Sequence, residues 1–241
     1  MTFEELGLSD EILEAIDYMG FDKATEIQEK AIPLILENKD LLGCAQTGTG
    51  KTAAFILPVL NKMVREDSGG IKTLVIVPTR ELAKQIDQQI QGFSYFIPVN
   101  SATIYGGGSS DWENQKKALK GGADIVVATP GKFITHLNMG YVDLKSIKYL
   151  ILDEADRMLD MGFVDDIMNI ISYLPKKRQT LLFSATMPPK IKILAEKIMT
   201  KPEEITLALS KPAEGVLQGA YLVHNQQKIN LINHLIKDKE D

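Results

Sequence analysis

Short apolar runs recur along the chain, separated by longer stretches with helical spacing. The runs at residues 40–44, 72–77, 100–105, 124–128, 148–152 and 179–183 are rich in Leu, Ile and Val. Several are apolar almost throughout, which suits strands buried on both faces of a parallel sheet rather than strands with one wet face. Between them, residues 51–65, 80–93, 111–119, 131–137, 164–173 and 188–199 carry apolar positions three and four apart, the period of a helix with one buried stripe. Two further helices precede the first strand, with Ser9 and Thr25 in N-cap positions, and Pro33 is expected to end or kink the second. Strand and helix in repetition predict a doubly wound α/β domain with right-handed crossovers.

The pattern changes near residue 210. Residues 210–215 are polar and contain Pro212 and Gly215, the composition of a linker. Residues 1–209 therefore read as one domain. Residues 216–241 offer one strand (218–224) and one helix (227–237), too little to enclose a core, and read as the beginning of an incomplete second domain. An unpaired strand edge in that tail suggests either a monomer or a dimer formed through it.

Composition narrows the function. The 241 residues carry a net charge of −5, so nucleic acid cannot be held by bulk positive charge and any such site must be local. The single cysteine, Cys44, excludes an internal disulfide; a reducing cytoplasm is the default compartment. No apolar stretch is long enough to span a bilayer as a helix, and no membrane partner is expected. His136, His224 and His234 do not cluster with the cysteine, so no zinc site is implied. Trp112 stands at a polar helix start and reads as a surface or packing aromatic.

The chemistry is concentrated where strands end. Ala45, Gln46, Thr47, Gly48, Thr49, Gly50, Lys51 and Thr52 follow the first strand and open a helix, the context of a phosphate-binding loop. Glycines let backbone N–H groups turn toward a phosphate, and the helix N-terminus adds positive partial charge. Lys51 is placed to reach the β- and γ-phosphates, and the Thr52 hydroxyl to ligate Mg²⁺. Such a loop needs a carboxylate from the same sheet edge. The strand at 148–152 supplies one, ending in Asp153, Glu154, Ala155 and Asp156. Asp153 is expected to hold Mg²⁺, and Glu154 to orient or deprotonate the attacking water. ATP and Mg²⁺ follow as ligands.

Residues 153–156 spell D-E-A-D, and with the surrounding motifs the chain resembles the DEAD-box RNA helicases from Phe3 to about residue 210 and into the tail. The resemblance implies a RecA-like sheet of the P-loop NTPase type and an adenine-reading segment within residues 1–29. There Phe21 would offer the base a flat face and Gln28 a donor and an acceptor. Thr25 and Gln28 also form a Thr-x-x-Gln capping box, and both readings hold together. The family usually has proline at the positions of Ala24 and Glu26.

Three more strand ends resemble the family's RNA-backbone motifs: Pro78-Thr79-Arg80, Gly106-Gly107-Gly108, and Thr129-Pro130-Gly131-Lys132, where Lys132 replaces the usual arginine. On the residues alone, the first reads sooner as a capped helix with Arg80 paired to a carboxylate, and the others as plain turn chemistry. Ser184-Ala185-Thr186 resembles the segment linking hydrolysis to strand separation, with the two hydroxyls bonding Asp156. The resemblance implies ATP-driven RNA unwinding or remodelling, with RNA gripped by its backbone. A second lobe would supply the arginine residues, so these residues assayed alone are expected to hydrolyse ATP very slowly. An ATP-gated RNA clamp is the alternative, and a DNA-directed motor a third reading. The absence of an N-terminal extension before Phe3 resembles bacterial members and hints at partners in ribosome assembly or RNA decay.

Overall fold

The computed structural model describes residues 1–65, 69–107, 111–207 and 219–237. Contacts divide the chain into two units, Met1–Ala208 and Leu209–Asp241.

The first unit is built on seven parallel strands: β1 (Leu41–Cys44), β2 (Thr73–Ile76), β3 (Ser101–Ile104), β4 (Ile125–Ala128), β5 (Tyr149–Leu152), β6 (Gln179–Ser184) and β7 (Glu203–Thr206). Their spatial order is β3-β4-β2-β5-β6-β1-β7. Among the described residues the α-helices of this unit are α1 (Asp10–Tyr18), α2 (Glu26–Leu36), α3 (Lys51–Met63), α4 (Arg80–Phe93), α5 (Asp111–Lys117), α6 (Pro130–Asn138), α7 (Ala155–Asp160), α8 (Val164–Ser172) and α9 (Pro189–Ile198).

Alternation along each strand feeds two cores, one on each face of the sheet. Val75, Ile125, Val127, Ile151, Leu181 and Phe183 pack with α1 to α4. Leu74, Ile76, Val126, Leu150, Leu152 and Leu182 pack with α6 to α9. A strand sandwiched in this way must be apolar at both parities, which is why the runs of the five inner strands, β4, β2, β5, β6 and β1, stand out. Gly43 permits a close approach within the first core. A Cβ there would lie 2.7 Å from the Phe183 ring, which itself packs against Phe55 with centroids 5.2 Å apart.

The structure departs from the expectations at three points. Of the two outcomes expected of Pro33, an end to α2 is excluded, since the helix continues to Leu36. Proline lacks only its own N–H, and its carbonyl still accepts from the Glu37 amide at 3.0 Å. The chain leaves the helix at Asn38, in the left-handed region at φ 62°. Second, β7 and α7 were not expected. β7 is polar, with Ile205 its one buried residue, and it extends the sheet through pairing with β1. Third, residues 219–224 form no strand. In the second unit the regular elements among the described residues are a short 3₁₀ turn at Asn225–Gln227 and α10 (Lys228–Ile236), whose Ile229, Ile232, Leu235 and Ile236 are exposed. The expected linker at 210–215 lies outside the described residues.

Candidate nucleotide site and strand-end surface

In a parallel sheet every strand points its carboxyl end to the same edge, and here that edge collects the chemistry. The spatial order divides it into two halves. The ends of β3, β4 and β2 lead to Tyr105-Gly106-Gly107, Thr129–Lys132 and Pro78–Arg80. The ends of β5, β6 and β1 lead to Asp153–Asp156, Ser184–Thr186 and the loop at 45–52.

On the second half, a cleft of about 240 Å³ is lined by Phe21, Thr47, Gly48, Gly50, Lys51, Thr52, Asp153 and Glu154, with Leu82, Gln85 and Gln89 of α4 as a further wall. Residues more than a hundred positions apart thus meet around one space. A larger cavity, about 640 Å³, lies at the opposite edge of the sheet, against Lys148, Tyr149 and Gln179 where β5 and β6 begin. It contains none of the strand-end motifs, so size is a poor guide to the site here.

The loop is braced from below. Gln28 is buried; its Nε2 donates to the Gly50 carbonyl at 3.1 Å and its Oε1 accepts from the Thr25 amide at 2.9 Å. The capping box of α2 therefore doubles as a strut under the loop, and both ends of the Gln28 amide have a protein partner. Gln28 is not in the cleft wall, whereas Phe21 is. Gly50 has φ 89° and no room for a side chain: a Cβ would sit 2.5 Å from Gln28 Nε2. Lys51 is buried and donates from Nζ to the Ala45 carbonyl at 2.7 Å. Thr49 Oγ1 donates to the Gln46 carbonyl at 2.7 Å, closing the loop on itself.

Asp153 is buried at the end of β5, and Oδ1 accepts from the Glu154 amide at 2.9 Å. Burial pushes its carboxyl up to about 6, against the opposing pull of the Lys51 ammonium. Glu154 sits in the left-handed region at φ 50°, which costs a non-glycine residue roughly 1 kcal/mol and is typical of strained functional positions. Its carboxylate pairs with Arg157 at 3.2 Å.

Asp156, Ser184 and Thr186 come together. Asp156 Oδ2 accepts from the Thr186 amide at 3.0 Å and from Thr186 Oγ1 at 2.7 Å. Ser184 Oγ accepts from the Asp156 amide at 3.3 Å. Burial works to raise the Asp156 carboxyl, but the hydrogen bonds from Thr186 and Ser184 outweigh it and hold it below its ordinary value. Cys44 is buried beside this group; burial pushes its thiol up, which leaves it protonated and inert.

On the other half, Thr79 caps α4, its Oγ1 accepting from the Leu82 amide at 3.3 Å. The expected pairing of Arg80 with a carboxylate gives way to a ring: its guanidinium lies 4.7 Å from the centroid of Tyr105. Pro130 occupies the first turn of α6, and Lys132 Nζ lies 4.4 Å from the Trp112 ring centroid. Gly106 and Gly107 follow β3 directly; Gly108 lies outside the described residues. Leu82, Gln85 and Gln89 escaped the reading of the sequence. Their 3,4 spacing on one face of the helix that begins at Arg80 was the available signal.

The sequence model of the DEAD/DEAH box helicases matches residues 25–194. The DEAD-box ATP-dependent RNA helicase CshA of Geobacillus kaustophilus is 45% identical over 236 residues, covering 98% of this chain and 50% of that protein. Its counterpart in Streptococcus pneumoniae is 47% identical over 237 residues, 98% of this chain and 45% of that one. The chain thus spans about half the length of the curated relatives it matches. The crystal structure of a DEAD box protein from the hyperthermophile Methanococcus jannaschii superposes with a TM-score of 0.81 at 42% identity, covering all of this chain and 64% of that one. A hypothetical ATP-dependent RNA helicase from Sulfolobus tokodaii gives 0.76 at 40% identity over 83% of this chain and 57% of the other.

Proposed function

Because this chain belongs to the DEAD/DEAH box helicase family, we propose that its cleft binds and hydrolyses ATP, that its other strand ends hold RNA by the backbone, and that the whole protein is an ATP-dependent RNA helicase. The observation that carries this reading is the single cleft joining Phe21, Lys51, Thr52, Asp153 and Glu154.

The donor set fits Mg²⁺. A hydroxyl and a carboxylate, both oxygen, line the same space, and among the described residues no group of three or more His, Cys, Asp or Glu is arranged to hold a metal by itself. Magnesium commonly takes one or two protein oxygens and completes its shell with water and substrate phosphates. Thr52 and Asp153 would hold the ion, which when bound neutralises charge on the β- and γ-phosphates. Lys51 exchanges the Ala45 carbonyl for phosphate oxygens. Phe21 offers its face to the base. Gln89 brings to the cleft wall a buried Oε1 that accepts no hydrogen bond from the described residues, an acceptor suited to a ligand with N–H or O–H groups. Glu154 takes a proton from the attacking water as the new bond to the γ-phosphorus forms and the bond to the β-phosphate oxygen breaks, leaving ADP and phosphate. Asp156, bonded to Thr186, ties the acidic loop to the end of β6.

Titration with a fluorescent ATP analogue, with and without Mg²⁺, tests the cleft. Binding should require Mg²⁺ and fall at least ~10-fold in Lys51→Ala, whereas Glu154→Gln should keep binding and lose turnover by roughly 10²-fold or more. Affinity indifferent to both Mg²⁺ and Lys51 would refute the site.

A further inference from the structure

Five cations on the β3–β4–β2 half are seated on aromatic rings. Arg80 and Lys84 lie over Tyr105 at 4.7 and 5.5 Å, Lys132 over Trp112 at 4.4 Å, and Lys116 and Lys120 over Tyr141 at 6.0 and 5.6 Å. The three rings are joined through a buried polar chain. Trp112 stacks on His136 with centroids 4.2 Å apart and planes 14° from parallel. His136 is fully buried, with Nδ1 on the Tyr141 hydroxyl and Nε2 3.1 Å from Gln115 Oε1. Gln115 Nε2 donates to the Tyr105 carbonyl at 3.1 Å.

The donor directions in this chain are determined. A carbonyl only accepts, so the Gln115 amide must present Nε2 to Tyr105 and Oε1 to the imidazole. His136 Nε2 therefore carries the ring proton and donates, and Nδ1 accepts from the Tyr141 hydroxyl. Burial, with the nearby Lys132 charge adding to it, lowers the imidazole to about 4, so the ring stays neutral and accepting. The result is a satisfied, directional network under the one ring that carries Lys132.

We infer that Trp112 is a positioning residue for RNA binding: it holds the Lys132 ammonium at a fixed place beside Thr129-Pro130-Gly131, and the His136–Gln115 link fixes that place relative to Arg80 on Tyr105. This inference rests on the proposal that Lys132 and Arg80 contact RNA phosphates. Lysine is a flexible point charge without the preset fork of arginine, so a lysine in this segment gains most from a support that limits its rotamers. A ring face takes one side of the ammonium and leaves N–H donors for a phosphate.

The test is a double-mutant cycle on RNA affinity, read by anisotropy of a short labelled oligouridylate across a salt series. Trp112→Ala should weaken binding roughly three- to tenfold and flatten the slope of log K against log salt by about 0.7, the signature of one lost phosphate contact. Lys132→Ala should do the same, Trp112→Phe should retain most of the affinity, and Trp112→Ala/Lys132→Ala should be no weaker than Lys132→Ala alone. Unchanged binding of the ATP analogue certifies that each variant folds. Since Trp112 is the only tryptophan, Lys132→Met should also alter its emission without RNA present. Wild-type affinity in Trp112→Ala, or a Trp112 effect that adds in full to that of Lys132→Ala, overturns the positioning role. If Lys132→Ala and Arg80→Ala leave RNA affinity untouched, it is the RNA reading itself that fails.

Discussion

Replacing Asp153 with asparagine should stabilise the protein in the absence of Mg²⁺ and nucleotide, while abolishing Mg²⁺-dependent hydrolysis. Asp153 is fully buried and its carboxyl is raised from an ordinary 3.8 to about 6, chiefly by desolvation. Between those two values the folded chain holds a proton that the unfolded chain has released. Stability therefore falls as pH rises through the window, and above about 6 the whole cost of the buried charge is in place. At 1.36 kcal/mol for each tenfold change the cost comes to ~3 kcal/mol. The attraction of Lys51 is already contained in the raised value, so it does not reverse the sign. Asparagine keeps the shape and the Oδ1 acceptor for the Glu154 amide, and Lys51 keeps the Ala45 carbonyl. Urea unfolding of the two proteins, free of Mg²⁺, should show the variant more stable by ~1–3 kcal/mol at pH 8, equivalent to a few degrees or more in Tm. The gap should narrow steadily toward pH 4.5. A variant that is less stable at pH 8, with a difference flat in pH, would show that the carboxylate is not strained by its burial.

Two further predictions concern the phosphate loop and the hydrogen bonds that anchor Asp156. Gly50→Ala meets both a positive φ and the Gln28 amide, so it should lower stability by roughly 2 kcal/mol and weaken the ATP analogue at least ~10-fold, measured by unfolding and by titration; wild-type affinity would mean the Gln28 strut is dispensable. Thr186→Ala removes the hydroxyl that helps hold the Asp156 carboxyl low. A depressed carboxyl stabilises the fold above its unfolded value and ceases to do so as pH falls through the folded one. The variant should thus lose about 1 kcal/mol at pH 7, a figure reduced for the half-exposed setting, and little at pH 3; equal losses at both would remove the charge from the explanation.

The elements that were legible in the sequence are those whose physics is local. β2, β4, β5 and β6 announce themselves because each is apolar at both parities. β7 does not, because an edge strand with a single buried side chain, Ile205, has no pattern to show. α7 was hidden for another reason: six residues after Glu154 were read for their acidity, though Met158 packs fully into the core. Residues 219–224 carry a short apolar run, Ala220 to Val223, but such a run does not supply a neighbour to pair with. At the site, the loop and the acidic strand end were legible because their chemistry is contiguous. The roles of Gln28 beneath Gly50 and of Trp112 on His136 depend on partners 22 and 24 residues away, and no spacing rule reports those.

The order of the strands explains how one edge can serve two ligands. β3, β4 and β2 are neighbours, and so are β5, β6 and β1, so the proposed RNA segments and the nucleotide segments occupy adjacent halves rather than alternating. The halves meet between β2 and β5, where the Asp153 amide donates to the Ile76 carbonyl at 3.1 Å. The helix that leaves β2 belongs to both. The first residue of α4, Arg80, rests on Tyr105 on the side of the proposed RNA segments, while Leu82, Gln85 and Gln89 wall the cleft. A helix is stiff over a few turns, so a ligand pressing on Gln85 and Gln89 bears on the same rod that aims Arg80. Occupancy of the cleft and the placement of Arg80 share α4 as a common rigid element, and RNA affinity should register changes at Gln89 that leave Arg80 itself untouched.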